Sequence, residues 1–476
     1  MVLLTQMEYW HSILYILALL VVLFAFVNGH SKKDIWVLNF IILASFILRI
    51  TIASDPFLHE WDERFHALVA KNLINHPLTP TLYDYAPLGF DAQSWVGSHV
   101  WLHKQPLPLW LMSISLYVLG INELALRFPS IVIGVLSVWL TFQIGRKLFN
   151  RHVSLIAAFL HSIHGLTLEL IAGRVATDHI DIAFAFFIEL AIYIVVCHRK
   201  TWWNYLLIGI SVGLAILCKW LPAYIVLGIY GAYNLNSIQT FEYWKGLFVI
   251  VCASVLVFLP WQIYIFSEFP QEAAYEAQFN YRHFSEVLEG QTGSWYYFIH
   301  KIGTLYGELI YVPVVWLIWR GLRKFNIKLS IIALWIIVPV VFFSIPLTKM
   351  QGYILFTAPA FFILTGLFIQ LMKYRFYQKK IIYNLMVLLL IGLPVRYSIE
   401  RFKPFEKIET PDWRREIDII KQSNQGKKHL VVFNFHRPIE CMFYTDFYAY
   451  HRMPTDKDIR ILKKENIEFI IWNDLH

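Results

Sequence analysis

Two adjacent carboxylates, Asp62 and Glu63, are the residues of this chain best placed to do chemistry. They follow an apolar segment that ends near residue 53. A carboxylate just outside a bilayer can accept a proton from a substrate whose lipid part stays in the membrane. Acids are also favoured at helix N-termini, so the same pair could stabilise the start of a surface helix. The residues alone leave the catalytic and the capping roles equally open.

Cationic and polar side chains occur in further segments that border apolar runs. Lysine and arginine there can bind a lipid-linked phosphate and stabilise it as a leaving group, while a carboxylate deprotonates an acceptor hydroxyl. Asp178 is a further acid, which could instead cap the span that it opens. A lone lysine at a span end more commonly extends to the membrane surface, and Lys104 and Lys349 could do so. The candidate substrate-binding residues are Lys104, Arg174, Lys219, Arg282, His283, Lys349 and Tyr353.

The composition indicates that membrane spans position these residues. The chain has 476 residues, of which 58% are hydrophobic and only 16% are charged, whereas a soluble domain carries about 25% charged residues. The net charge of +8 does not indicate nucleic acid, because the Lys and Arg residues fall in short clusters between apolar runs, as in the loops of a membrane protein. We therefore predict a mostly α, polytopic membrane protein.

The apolar runs predict about twelve transmembrane helices, each close to the roughly 20 residues that cross the hydrocarbon. The stretch 107–121 is shorter, and we interpret it as a helix that lies in the membrane interface. The predicted spans are 12–28, 35–53, 125–144, 153–171, 179–197, 203–218, 220–236, 246–266, 303–319, 329–347, 353–372 and 380–395.

Loop charge predicts the orientation. With 107–121 at the interface, the basic clusters all fall on one side, which the positive-inside rule makes the cytoplasm. The opposite, external side then receives the loop 54–124, the loop 267–302 and the C-terminal tail. The cytoplasmic clusters are Lys32 and Lys33; Arg146, Lys147 and Arg151; Arg199 and Lys200; Lys245; Arg320, Arg323, Lys324 and Lys328; and Lys373, Arg375, Lys379 and Lys380.

Two domains are predicted. Residues 1–396 form the membrane domain with its external loop 54–124, and residues 397–476 form a small external α/β domain. In the loop, residues 63–75 show an apolar helical face that could lie on the membrane surface. In the tail, apolar periodicity predicts helices at 412–423, 438–444 and 455–465 and strands at 429–434 and 467–472.

The ordered motifs of residues 55–375 resemble one family. The chain is similar to the lipid-dependent membrane glycosyltransferases of the GT-C superfamily, which includes the protein O-mannosyltransferases and the ArnT-like aminoarabinose transferases of lipid A. Each motif alone is weak, but their order and the matching topology are specific. The motifs are Trp61-Asp62-Glu63 with His66-Ala67, Lys104-Gln105-Pro106-Leu107, the segment from Gly120 to Ser130, Arg174 to Asp178, the segment from Gly213 to Trp220, Pro260-Trp261, and Lys349 with Gly352-Tyr353 and Pro359.

The resemblance implies an integral membrane glycosyltransferase with a GT-C fold in the plasma membrane, the inner membrane if the source is bacterial. It implies inverting transfer on the external, periplasmic face from a polyprenyl-phosphate-linked sugar to a lipid A or other glycolipid, a glycan or a protein hydroxyl. Membrane lipid is the other implied partner, and nucleic acid is not one. No cofactor is assigned and metal ligands stay unknown, with a divalent cation left open. The rival interpretation is a transporter or flippase of a lipid-linked or anionic substrate.

The resemblance also implies roles for individual residues. Asp62 matches the family's essential acid and is the predicted general base, with Glu63 and Asp178 positioning the acceptor or a cation. The residues that match positions around the donor cavity are Lys104, Arg174, Asp178, Lys349 and Tyr353. The chain departs from the family where His103-Lys104-Gln105-Pro106 replaces Glu-Lys-Pro-Pro and where Phe65 replaces an arginine, which leaves the sugar and the acceptor open.

Overall fold

The structure is a computed structural model that describes residues 10–28, 34–197, 199–427 and 429–472. Lys32 and Lys33, which belong to the predicted cytoplasmic clusters, lie outside the described residues.

Helices account for most of the chain, because in lipid a lone segment satisfies its backbone polar groups only by coiling. Polar residues mark several helix starts: the side chain of Asn122, for example, accepts the Ala125 N–H at 2.9 Å. In chain order the helices are α1 (Trp10–Asn28), α2 (Asp34–Ile52), α3 (Asp62–Asn72), α4 (Pro106–Leu119), α5 (Glu123–Leu148), α6 (Arg151–Ser162), α7 (Gly165–Ile171), α8 (Asp178–Cys197), α9 (Trp202–Lys219), α10 (Ile225–Tyr233), α11 (Phe241–Glu268), α12 (Pro270–Ser285), α13 (Tyr297–Tyr306), α14 (Tyr311–Arg323), α15 (Ile327–Ser344), α16 (Ala358–Arg375) and α17 (Lys380–Phe402).

Eight helices of the described residues are long and apolar enough to cross a membrane, or up to ten if two bent helix pairs each count as one span. The chain is thus an integral membrane protein, while the count of about twelve spans stays a prediction. Shorter apolar helices include Trp10–Val22, Pro106–Leu119 and Leu221–Tyr233. The second of these, α4, corresponds to the predicted interfacial helix; its 14 residues are too few to span.

Two predicted spans are broken in the structure. The span 153–171 divides into α6 and α7, which meet at an angle of 46°. The predicted span 303–319 is interrupted, because α13 ends at Tyr306 and the chain turns by 117° before α14. Gly307 adopts a φ of +88° at this turn, a backbone conformation that glycine enters without steric cost. Apolar composition alone does not reveal such a break.

The helix predicted to lie on the membrane surface is instead covered by protein. Its apolar face, formed by Phe65, Leu68, Val69 and Leu73, is buried in a core that it shares with α4 and with Trp413 to Ala449 of the C-terminal segment. The prediction of a membrane-facing α3 is therefore wrong. A hydrophobic helix face predicts only that some apolar surface covers it. Here much of that surface comes from the C-terminal segment, far along the chain.

The C-terminal segment is a small α/β unit. Its elements are α18 (Asp412–Ser423), β1 (Val431–Phe433), α19 (Pro438–Tyr444), β2 (Tyr448–Tyr450), α20 (Asp456–Lys464) and β3 (Phe469–Ile471). The strands form a parallel sheet in the order β2-β1-β3, with Val431 paired to Tyr448 and to Phe469. All three helices and two of the strands agree with the predicted elements, whereas β2 was not predicted. The division of the chain at residue 396 stays a prediction.

Candidate active site

Asp62 begins α3 and lies beside a lysine from another segment. Its Oδ2 accepts the backbone N–H of Thr177 at 3.0 Å and lies 3.2 Å from the Lys104 Nζ. The side chains of Asp62 and Lys104 are only 17% and 20% exposed. Burial by itself would raise the pKa of Asp62, but the charge of Lys104, two nearby histidines and the Thr177 N–H together hold that pKa well below its usual range. The carboxylate is thus ionised and poised to accept a proton.

Lys104 is positioned by the start of α4. Pro106 occupies the first turn of that helix, where its missing N–H costs nothing. The preceding Gln105 accepts a hydrogen bond from Gln262 of α11 at 3.1 Å, which fixes the approach of the chain. Burial alone would lower the pKa of Lys104, yet the Asp62 carboxylate raises it above its ordinary value. The lysine therefore presents a full positive charge beside the candidate base.

A second ion pair lies next to the first, and Thr177 joins the two. Asp181, one turn into α8, pairs with Lys219 at the end of α9 and accepts the Thr177 hydroxyl. Thr177 therefore donates its N–H to one aspartate and its O–H to the other. Its φ of +69° is a genuine outlier for a β-branched residue, and strain of this kind is typical of functional sites.

Gly352 and Tyr353 complete this side of the site. A Cβ added at Gly352 would lie 2.4 Å from the Asp181 Oδ2 and 2.7 Å from the Thr177 Oγ1, so the backbone approaches the ion pair more closely than any side chain would allow. The Lys219 Nζ lies 4.6 Å from the centre of the Tyr353 ring, a cation–π contact. The starts of α3 and α8, the end of α9 and the segment 351–357 thus converge on one cluster.

Glu63 is turned away from this cluster and is fully buried. Its carboxylate receives the Nε and Nη2 of Arg127, in α5, at 2.6 and 3.0 Å. Burial alone would raise the pKa of Glu63, but the guanidinium holds it well below its usual range. The turn at Gly173 closes over this pair, since an added Cβ there would overlap the Glu63 carboxyl group. These are the contacts of a residue that anchors α3.

Asp178 is held by a histidine of α3. Its Oδ1 lies 2.8 Å from the His66 Nδ1, and neither side chain is exposed. Its Oδ2 and the His66 Nε2 have no hydrogen-bond partner among the described residues. Asp62 and His66 lie one helical turn apart on the same face of α3. Thr177 and Asp178 therefore contact that face at two successive positions, Thr177 at Asp62 and Asp178 at His66.

Arg174 does not point at the Asp62 cluster. It donates to both carboxylate oxygens of Asp55, at 3.0 and 3.1 Å, and to the Phe402 carbonyl at 2.9 Å. Burial would raise the pKa of Asp55, but its hydrogen bond with His59 and the charge of Arg174 bring it down to about 2. The role of Arg174 in phosphate binding stays a prediction, for which its guanidinium would have to leave Asp55.

Three other predicted binding residues lie in the last turn of α12 and in the segment that follows α15. Lys349 is buried and its Nζ donates to the Pro346 carbonyl, while Arg282 pairs with Glu286 near the surface at 2.8 Å. His283 contacts the Phe279 carbonyl at 3.0 Å, and burial, together with the charge of Lys104, lowers its pKa. Of the predicted binding residues, the structure thus brings Lys104, Lys219 and Tyr353 around Asp62 and leaves Arg282 apart from them.

Sequence reasoning assigned no role to several side chains of the site. Asp181 was visible as an acid inside a span, a feature that by itself indicates function. Thr177 carries no comparable signal, since nothing in the sequence announces a positive φ. Glu289 is a third case: burial raises its pKa, and the charge of Lys104 acts against that rise. Within the described residues no group of three or more His, Cys, Asp and Glu side chains is arranged to hold a metal.

Comparison with known proteins gives the same family as the motifs. A family model described as dolichyl-phosphate-mannose-protein mannosyltransferase matches residues 103–264. The undecaprenyl phosphate-alpha-4-amino-4-deoxy-L-arabinose arabinosyl transferase 1 of Pseudomonas fluorescens is 26% identical over 285 residues, which are 55% of this chain and 48% of that protein. The chain thus spans about half the length of the curated relatives that it matches.

Solved structures share the fold over nearly the whole chain. The crystal structure of ArnT from Cupriavidus metallidurans bound to undecaprenyl phosphate matches with a TM-score of 0.66 at 16% identity, covering 92% of this chain and 90% of that one. The archaeal oligosaccharyltransferase AglB from Archaeoglobus fulgidus matches with a TM-score of 0.62 at 11% identity, covering 93% and 70%. The resemblance inferred from the motifs is confirmed: the family model, the curated relatives and the solved structures all support the GT-C superfamily of membrane glycosyltransferases.

Proposed function

We propose that the protein transfers a sugar from a polyprenyl-phosphate-linked donor to an acceptor hydroxyl at the external face of the membrane. The observation that carries this proposal is the ionised Asp62 beside Lys104, with Lys219 and Tyr353 on its other side. A proton acceptor next to two cations is what such a transfer needs. The relatives named above support the donor class, since their names and titles specify undecaprenyl phosphate and a dolichyl-phosphate sugar.

The proposed step is a single displacement. The acceptor oxygen forms a bond to the anomeric carbon of the sugar while the bond from that carbon to the phosphate oxygen breaks. Asp62 takes the acceptor proton, and the electron pair of the broken bond leaves with the polyprenyl phosphate. Lys104 and Lys219 stabilise the charge that develops on the phosphate. Attack opposite the leaving group inverts the anomeric configuration. Glu63 holds α3 in place, and Asp178 holds the Thr177 turn through His66.

A transport function is the less favoured alternative. Transporters bind substrate near the middle of the bilayer between matching halves with broken helices. In this chain the paired charges lie at helix ends, at the start of α3 and α8 and at the end of α9. The buried acid Glu189 within α8 is engaged by the Thr141 hydroxyl at 2.5 Å, which accounts for it without a transported ion.

The proposal is tested with purified protein in lipid nanodiscs. An undecaprenyl-phosphate-linked sugar is supplied with a glycolipid or hydroxyl acceptor, and mass spectrometry follows the sugar on the acceptor and the free polyprenyl phosphate. We expect both products in equal amounts. Donor binding without product from any acceptor class, together with movement of the intact donor across the bilayer, would favour the transporter instead.

The basic clusters and the candidate site lie at opposite ends of the same helices, which motivates a prediction of orientation. Helix α5 begins beside the site and ends with Arg146 and Lys147, whereas α9 starts after Lys200 and ends at Lys219. We expect a reporter fused at Gln378 to be cytoplasmic and one fused at Ser423 to be external. A cytoplasmic signal from the Ser423 fusion would contradict both the topology and the external active site.

Neutralising Lys104 is expected to weaken donor binding. In Lys104→Gln the charge-assisted contact with the phosphate is lost, which removes about 1.5–3 kcal/mol of binding free energy. Titration with undecaprenyl phosphate measures the effect. Lys245→Gln is the matched control, because Lys245 is exposed near the start of α11 and, among the residues that the structure describes, pairs with Glu242 alone, at 3.8 Å. Equal affinity of the two variants would remove Lys104 from the phosphate site.

A further inference from the structure

Two tethers hold the chain on either side of Asp62, and both run to the first turns of α5. After Asp62, Glu63 is gripped by Arg127. Before it, the Leu58 N–H donates to the Tyr444 hydroxyl at 3.0 Å, and that hydroxyl donates to the Glu123 carboxylate at 2.7 Å. Glu123 and Arg127 are one helical turn apart, so they project from the same face of α5. The position of Asp62 is therefore set from both directions against a single helix.

The middle of the tether that precedes Asp62 in the chain belongs to the C-terminal unit. Tyr444 is the last residue of α19, and its ring is covered by the Arg414 guanidinium at 4.0 Å. The hydroxyl is thus held by a side chain whose ring has little freedom, and it serves as acceptor and donor at once. No residue of the membrane helices takes part in the bond to Leu58.

Helix α19 is itself fastened to α3. The Lys71 Nζ donates to the carbonyls of Met442, Phe443 and Thr445 at 2.9, 3.1 and 2.6 Å, which satisfies the free C-terminal end of α19 with a cation. At the other end of α19, Arg437 pairs with Glu60. The C-terminal unit thus contacts α3 and the segment that leads into it at several separate points.

We propose that the C-terminal unit supplies a positioning residue, Tyr444, to the candidate active site. This inference rests on the proposed function, because it concerns the placement of Asp62 as the base. Asp62 is the first residue of α3, so its location depends directly on the segment that enters the helix. When the phenol is absent, Leu58 is released from Glu123, and the entering segment loses its fixed distance from α5.

The test is the removal of one oxygen atom. In Tyr444→Phe we expect turnover to fall about 10- to 100-fold, the scale of a misplaced catalytic group, with the KM for the donor and the affinity for undecaprenyl phosphate unchanged. Tyr450→Phe is the matched control: it makes the same change in the same unit, and the Tyr450 hydroxyl is buried without a hydrogen-bond partner within the described part of the chain. That variant should transfer sugar at the wild-type rate.

Amide hydrogen exchange gives a second result that does not depend on activity. In Tyr444→Phe the Leu58 amide should exchange faster, while the amides of β1 and β2 keep their protection. Faster exchange throughout the C-terminal unit, or turnover equal to that of Tyr450→Phe, would overturn the positioning role. Absence of transfer by the wild-type protein would instead overturn the proposed function, and the exchange of Leu58 would still report whether the tether exists.

Discussion

Replacing Asp62 by asparagine is expected to lower turnover about 10²–10⁴-fold, because the variant keeps the shape of the side chain and loses the general base. The charge of Lys104 acts against the effect of burial and helps to keep this carboxylate ionised at the junction of α3 and α8. Donor binding should stay close to that of the wild type, since the lysines that face the phosphate are intact. Single-turnover measurement of sugar transfer by the purified variant tests this expectation.

The structure separates this result from the loss of a helix cap. The residue that caps α3 is Trp61, and it makes no side-chain capping hydrogen bond. Asparagine at position 62 can still accept the Thr177 N–H and favours a helix start as well as aspartate does. If Asp62 served only the helix, Asp62→Asn would be almost silent. Transfer at a near wild-type rate would therefore end the catalytic assignment.

Replacing Arg127 by methionine is expected to destabilise the protein by about 3–5 kcal/mol, the cost of leaving a buried charge without its partner. Glu63 would keep its carboxylate in a fully buried position. The carbonyls of Ala53, Asp55 and Phe57, to which Arg127 donates at 3.0, 2.7 and 2.7 Å, would also lose their donor. Thermal unfolding in detergent, monitored as the loss of folded protein, measures the change in stability.

A matched control uses an exposed pair. Arg396 and Glu400 lie one turn apart in α17 and are 60% and 46% exposed, so the unfolding temperature of Arg396→Met should stay close to that of the wild type. The stabilisation from Glu63 also has a definite pH dependence. Because the folded-state pKa of Glu63 is lowered, its contribution to stability is fully present above the ordinary carboxyl pKa of 4.5 and is lost as the pH falls below it.

Equal destabilisation by Arg127→Met and Arg396→Met would contradict the proposed anchor.

The parts of the site that the sequence predicts are those with local chemistry. Asp62 and Lys104 each lie at the start of a helix next to an apolar run, where their charges indicate function before their contacts are known. The partners of Glu63 and Arg174 are a different matter. Arg127 is 64 residues from Glu63 and Asp55 is 119 residues from Arg174, so the sequence does not indicate that they pair. From the sequence alone, either arginine could equally bind a phosphate or anchor the chain at the membrane interface.

The fold shows the same limit. Span length predicts most of the long helices, because the bilayer imposes one length on each of them. It does not predict the turn at Gly307, although the residue that follows, Glu308, is a charged residue within the apolar run. Likewise β2 consists of only Tyr448, Ala449 and Tyr450, too short for a period-2 pattern, and its pairing with β1 decides its structure.

The core that α3 shares with the C-terminal unit also determines how late in synthesis the candidate site can be completed. Tyr444 follows Leu58 by 386 positions, and at the usual 5–20 residues per second the ribosome needs about 20–75 s to produce it. During that interval the apolar face of α3 lacks the part of its cover that residues 413–449 supply. The candidate catalytic centre is therefore assembled last, after all the membrane helices have been synthesised. A nascent chain that stops before α19 exposes that face, which marks it for proteolysis, so cells should accumulate few inactive fragments.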